Sequence, residues 1–100
     1  MFPYCLNHLL ITGPGREVQA LDRQDWRKEA GARHLELMQI APGRQAWQFE
    51  TLRPPLAFLR AVSRQWPRLN FLLVYDREDQ RRQGLVKARN GRVWESRFTY

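Results

Sequence analysis

The chain has one cysteine, Cys5, and only two lysines. A lone cysteine cannot close an intramolecular disulfide, which excludes the disulfide-stapled secreted scaffolds and fits a reducing compartment. No run of apolar residues approaches the roughly 20 needed to cross a bilayer as a helix. The opening segment, Met1 to Gly13, is mildly apolar. It has no basic n-region and no clear small-residue cleavage site, so it does not read as a signal peptide, and a cytoplasmic location is expected. A phosphate-binding P-loop, a dinucleotide fingerprint and a His-x-Glu deaminase signature are all missing. So are internal repeats, low-complexity tracts and linkers.

What is present bounds a single domain, residues 1–100. A hydrophobic content of 43% with twelve aromatics supplies one core and argues against global disorder. The net charge of +7 is unevenly spread. Residues 1–52 hold six Lys/Arg and six Asp/Glu, whereas residues 53–100 hold eleven and four, so the whole surplus sits in the second half. Such asymmetry fits a polyanionic partner. It competes with a plainer reading: fifteen of the seventeen basic residues are arginine, a bias that coding composition also produces.

Boundary signals divide the chain into elements. Cys5 to Thr12 reads as a strand stopped by Gly13-Pro14-Gly15. Arg16 to about Glu29 is a helix candidate with a partial stripe of Val18, Leu21 and Trp26. His34–Ile40 and Gln45–Thr51 read as strands joined at Pro42-Gly43. Trp47, Phe49 and Thr51 share one face of the latter. Pro54-Pro55 opens a second helix with Leu56, Leu59, Val62 and Trp66 at helical spacing, and Pro67 stops it. Leu69–Tyr75 is a β-rich strand, and Asp76–Gln83 reads as a charged loop. Gly84–Arg89 and Arg92–Tyr100 flank Asn90-Gly91, the strongest hairpin signal in the chain.

The expected fold is α+β. Residues 1–76 form a β-α-β-β-α-β core of the ferredoxin-like kind, an antiparallel sheet with two helices on one face, and residues 84–100 add a C-terminal β-hairpin. The hairpin could extend the sheet edge, cover the open face or pair with another subunit.

Specific residues carry a resemblance. The opening reads Cys5-x-Asn7-x-Leu9-x-Ile11-x-Gly13-Pro14. Phe49-x-Thr51 leads to Pro54-Pro55-Leu56, and Ser63 precedes Trp66-Pro67, Leu69, Phe71 and Tyr75. Together they resemble the YubB ferredoxin-like domain family of bacterial plasmid and phage proteins. The resemblance implies a ferredoxin-like fold and a mobile-element setting, and it implies no activity. The chain departs from that pattern in three places. Leu52-Arg53 stands where a tryptophan is usual, a Trp-Gly-rich central segment is missing, and Asp76-Arg77-Glu78-Asp79 replaces a glycine-rich stretch.

Chemistry-bearing residues are sparse. Cys5 and His8 point to opposite faces of a regular strand and cannot both chelate a metal. Cys5 with His34 is a conceivable nucleophile and base, with no local motif behind it. Neither a cofactor nor a metal is expected, and the chain reads as non-enzymatic. Two binding readings remain. One is a protein-interaction or self-associating module, a homodimer included, that uses Leu6 and Leu10 on the second face of the first strand and Trp94, Phe98 and Tyr100 on the last. The other is a weak, sequence-nonspecific nucleic-acid binder that uses Arg53, Arg60, Arg64, Arg68, Arg77, Arg81 and Arg82. Base-stacking of the RNA-recognition type would need Trp47 and Phe49 on the open face, and they read instead as core.

Overall fold

A computed structural model describes residues 4–100; the first three residues of the opening segment lie outside the described residues. The elements follow the order β1 (Cys5–Thr12), α1 (Gly15–Arg23), α2 (Trp26–Glu29), β2 (Arg33–Ala41), β3 (Arg44–Thr51), α3 (Leu56–Gln65), β4 (Asn70–Arg77), β5 (Arg82–Arg89) and β6 (Arg92–Thr99). The architecture is α+β: three helices and one six-stranded antiparallel sheet of order β2-β3-β1-β4-β5-β6.

The period-two alternation of each strand decides what faces the helices. From β1 these are Cys5, Asn7, Leu9 and Ile11, from β3 Trp47, Phe49 and Thr51, and from β4 Phe71, Leu73 and Tyr75, all buried. Val18 and Leu21 of α1, Trp26 of α2, and Leu59 and Val62 of α3 close over them. Trp26 is the hub of this core. Its ring meets Trp47 edge-on at 5.6 Å, Phe49 edge-on at 5.9 Å and Phe58 in a stack at 5.9 Å.

The single helix expected over residues 16–29 is two helices. The chain leaves helical geometry at Gln24, which is extended, and resumes at Trp26. Arg27 locks the break, reaching back to both the carboxylate and the backbone carbonyl of Asp22. The re-aimed second piece buries Trp26, which the partial stripe of α1 leaves without a clear place. The helical cover is therefore three elements, not two.

The charged loop expected over residues 76–83 is also shorter than read. β4 runs on to Arg77 and β5 starts at Arg82, with one 3-10 turn, Glu78–Gln80, between them. Arg77 closes the turn with paired bonds to the Asp79 carboxylate, at 3.2 and 3.0 Å, and Arg81 takes a left-handed conformation at φ 50°. A short-range ion pair thus makes a tight corner out of residues whose charge alone suggests a solvated loop.

β5 and β6 pair across Asn90-Gly91, whose φ angles of 49° and 78° suit a type I′ turn. They continue the sheet beside β4 and do not fold over its open face. Ser63 of α3 fixes this corner: its hydroxyl accepts from the Gly91 amide at 3.0 Å and donates to the Arg60 carbonyl at 3.2 Å.

Candidate functional site

The sheet face opposite the helices carries apolar side chains that no helix covers. Leu6, His8 and Leu10 of β1 lie on it, opposite Asp76, Val74 and Leu72 of β4. Across β5 and β6 it continues through Leu85 and Lys87 to Trp94, Ser96 and Phe98. Val74 is 43% exposed, Trp94 54% and Phe98 53%, well above what a covered sheet face shows. Met38 of β2 adds to the apolar band beside Leu10, Ala46 and Leu72.

The two ends of this face differ. Beside Trp94 lies a groove of about 880 Å³ floored by Leu10 and Leu72, with Lys87, Arg89 and Arg92 around it. The Lys87 ammonium sits 5.7 Å from the Trp94 ring centroid. At the other end a hollow of about 340 Å³ is lined by Leu6, Gln48, Glu50, Asp76 and Glu78.

All five residues expected for an interaction surface are accessible. Leu6 and Leu10 are half-buried in the sheet, and Trp94, Phe98 and Tyr100 are exposed. The Tyr100 hydroxyl donates to Asp76 at 2.7 Å, which draws the end of the chain towards the acidic hollow. Met38, Leu72, Val74 and Leu85 also lie on this face, beyond the five residues expected from the sequence. A signal for them exists: β4 has leucine or valine between Phe71, Leu73 and Tyr75, and a strand apolar on both sides calls for cover on both.

The seven arginines expected for nucleic acid lie in several places. Arg53, Arg77 and Arg82 line a cavity of about 280 Å³ near the start of α3, together with Arg97, Tyr75 and Glu95. Arg77 is already committed, to Asp79 and to the Leu52 carbonyl at 3.2 Å. Arg60 and Arg64 are exposed on α3, with Arg64 lying over Gly91. Arg68 pairs with Glu17 at 2.5 Å, and Arg81 sits on the corner before β5.

The motif residues of the opening strand meet at a buried point. The Asn7 side-chain amide donates to Thr51 Oγ1 at 2.9 Å and to the carbonyls of Phe49 and Cys5, both at 3.3 Å. Thr51 donates onward to the Arg53 carbonyl at 2.6 Å. Cys5, Asn7 and Thr51 therefore tie the start of β1 to the end of β3 and to the chain entering α3. This is structural work, done by groups with no access to solvent.

Cys5 does not meet a base. It faces the helices, whereas His34 reaches Glu50 on the open side, 3.8 Å from the carboxylate. Burial pushes the thiol up from its ordinary 9.0 to about 11, against a partial downward pull from Arg77. The neutral thiol is thus favoured in the fold, and an unfolded chain gives up its proton first. The stability it contributes is constant below about pH 9 and is lost as pH rises towards 11. Denaturant midpoints across that range should fall, and Cys5→Ala should flatten part of the slope. A thiol reagent at neutral pH should label Cys5 only on unfolding.

Among the described residues no group of three or more His, Cys, Asp or Glu side chains is placed to hold a metal ion. No helix of the described residues is long and apolar enough to cross a membrane. Comparison with family models, curated proteins and solved structures finds no match to this chain.

Proposed function

We propose that this chain is a ferredoxin-like binding module, not a catalyst, and that it pairs with a second copy of itself through the open sheet face. The strand order β2-β3-β1-β4 supports the ferredoxin-like reading of the core, with β5 and β6 as its C-terminal hairpin. A bacterial mobile-element setting rests on the sequence resemblance to the YubB domains alone, carried by residues 5–14 and 49–75.

The observation that carries the reading is the uncovered apolar band from Met38 through Leu10, Leu72 and Val74 to Leu85 and Trp94. Small soluble domains rarely leave such a band in water. The whole face, band and charged ends together, has the size of a dimer interface. Six strands about 4.8 Å apart, each eight or nine residues long at about 3.3 Å per residue, give a face of about 750 Å². A standard-size interface takes about 800 Å² from each partner.

The sheet edges are less suited to pairing. β2 has two register shifts and a left-handed His34 at φ 52°, devices that interrupt an exposed edge. β6 carries Arg92, Glu95 and Arg97 along its length.

Sedimentation equilibrium of the wild type and of Val74→Asp/Trp94→Asp tests this. Both positions are exposed, so the fold should survive. The wild type should move from the 12.0 kDa monomer towards twice that mass as concentration rises, and the variant should stay monomeric. A wild type that is monomeric throughout the micromolar to millimolar range would sink the proposal.

A further inference from the structure

We infer that the two copies meet head to tail, the basic groove of each lying over the acidic hollow of the other. This rests on the self-association just proposed and adds its orientation and its electrostatic control.

Charge is unevenly placed along the strands. At the Thr12 end of β1, the open face is flanked by Arg44 of β3, by Arg89 of β5, and by Arg92 of β6, which pairs with Arg89. One step inward, Lys87 lies opposite Leu72. All four cations are exposed, and among the described residues no carboxylate is within ion-pair distance of them. At the Leu6 end the face presents Glu50 and Asp76, the register partners of Leu6, with exposed Glu78 beyond them. Three cations also lie near this end: Arg33 is hydrogen-bonded to Tyr4 at 2.6 Å and contacts its ring, His34 lies 3.8 Å from Glu50, and exposed Arg81 sits on the corner directly after Glu78–Gln80, so the acidic surplus here is smaller than the basic one at the other end. Between the ends runs the apolar band. The face is a dipole with a greasy middle.

A two-fold dimer uses the same patch on both copies, so the patch must be complementary to itself. For an axis lying in the plane between the two faces, two limiting arrangements of the ends exist, with crossed packings between them. With the axis along the strands, basic lies over basic and acidic over acidic, and four cations per copy that have only neutral partners or none are brought together out of water. With the axis across the strands, each basic end meets an acidic end. Like-charge juxtaposition opposes the first arrangement, and complementary potentials favour the second. Shape agrees, because the open groove beside Trp94 has room for side chains from the partner's acidic end, whose Glu78 projects from the turn after β4.

The test is a polarity swap read by sedimentation equilibrium, with circular dichroism to confirm that each variant is folded. The variants are Arg89→Glu/Arg92→Glu, Asp76→Lys/Glu78→Lys, and the chain carrying all four changes. Head-to-tail packing predicts that each two-site variant weakens dimerisation about tenfold or more, because it turns two attractive contacts into repulsive ones. The four-site variant, with its dipole inverted, should recover to within a few-fold of wild type. Raising salt from about 0.05 M to about 0.5 M should weaken the wild-type dimer. A wild-type dimer that the two-site variants leave unchanged, or that the four-site chain fails to recover, overturns the orientation and leaves self-association standing. A wild type with no dimer at all overturns both.

Discussion

Gly84→Ala is expected to destabilise the fold by about 3 kcal/mol, the upper end of the usual cost of overpacking a core. Gly84 lies directly opposite Tyr75 in the register of β4 and β5, and the tyrosine ring rests over the glycine. A Cβ at residue 84 would stand 2.1 Å from Tyr75 Cε2 and 2.2 Å from Cζ. The ring cannot swing away cheaply. Tyr75 is 1% exposed, and its hydroxyl donates to Glu95 Oε2 at 2.5 Å, two strands over. Burial, reinforced by that bond, pushes the hydroxyl's pKa up, so it stays a donor well into the alkaline range. Moving the ring would open a void and strand the Glu95 contact. A double-mutant cycle checks the cause: adding Tyr75→Leu to Gly84→Ala should cost clearly less than the sum of the two single changes. Strict additivity would mean that the glycine matters for another reason.

Asn7→Leu should cost about 2 kcal/mol, although leucine has a similar volume. The fully buried Asn7 amide serves three acceptors from two strands, and leucine satisfies none of them. Thr51 loses its donor in a site that water cannot reach. Thr51→Val on its own should cost less, since Asn7 keeps its two carbonyl partners. Urea midpoints at neutral pH separate the two. Equal effects would place the stabilisation in β pairing and not in the side-chain network.

These two clusters show how far the sequence could be read. The alternation of Trp47, Phe49 and Thr51 was legible because a strand with one buried face leaves a period of two. The helix of α3 was legible because Pro54-Pro55 and Pro67 punctuate a regular apolar stripe. The kink at Gln24 was not, since it depends on where Trp26 finds aromatic partners on β3 and α3. The corner at 77–81 was hidden for a related reason: a run of charges looks solvated until Arg77 and Asp79 are seen to bond across it. At the candidate site, Leu6, Leu10, Trp94 and Phe98 could be read from strands with apolar residues on both sides. The separation of charge to the two ends could not. It depends on the registers of β3, β4, β5 and β6 against β1, which bring Glu50, Asp76 and Glu78 to one end and Arg44, Arg89 and Arg92 to the other.

Methyl NMR over a dilution series reads whether the open face binds a second copy. Leu10, Leu72, Val74 and Leu85 report from the open face, and Val18, Leu21, Leu59 and Val62 from the helix side. The account predicts that the first set shifts with concentration along one curve, giving a single dissociation constant, while the second set stays still. Concentration-dependent shifts confined to the helix side, or none on either side, would contradict it.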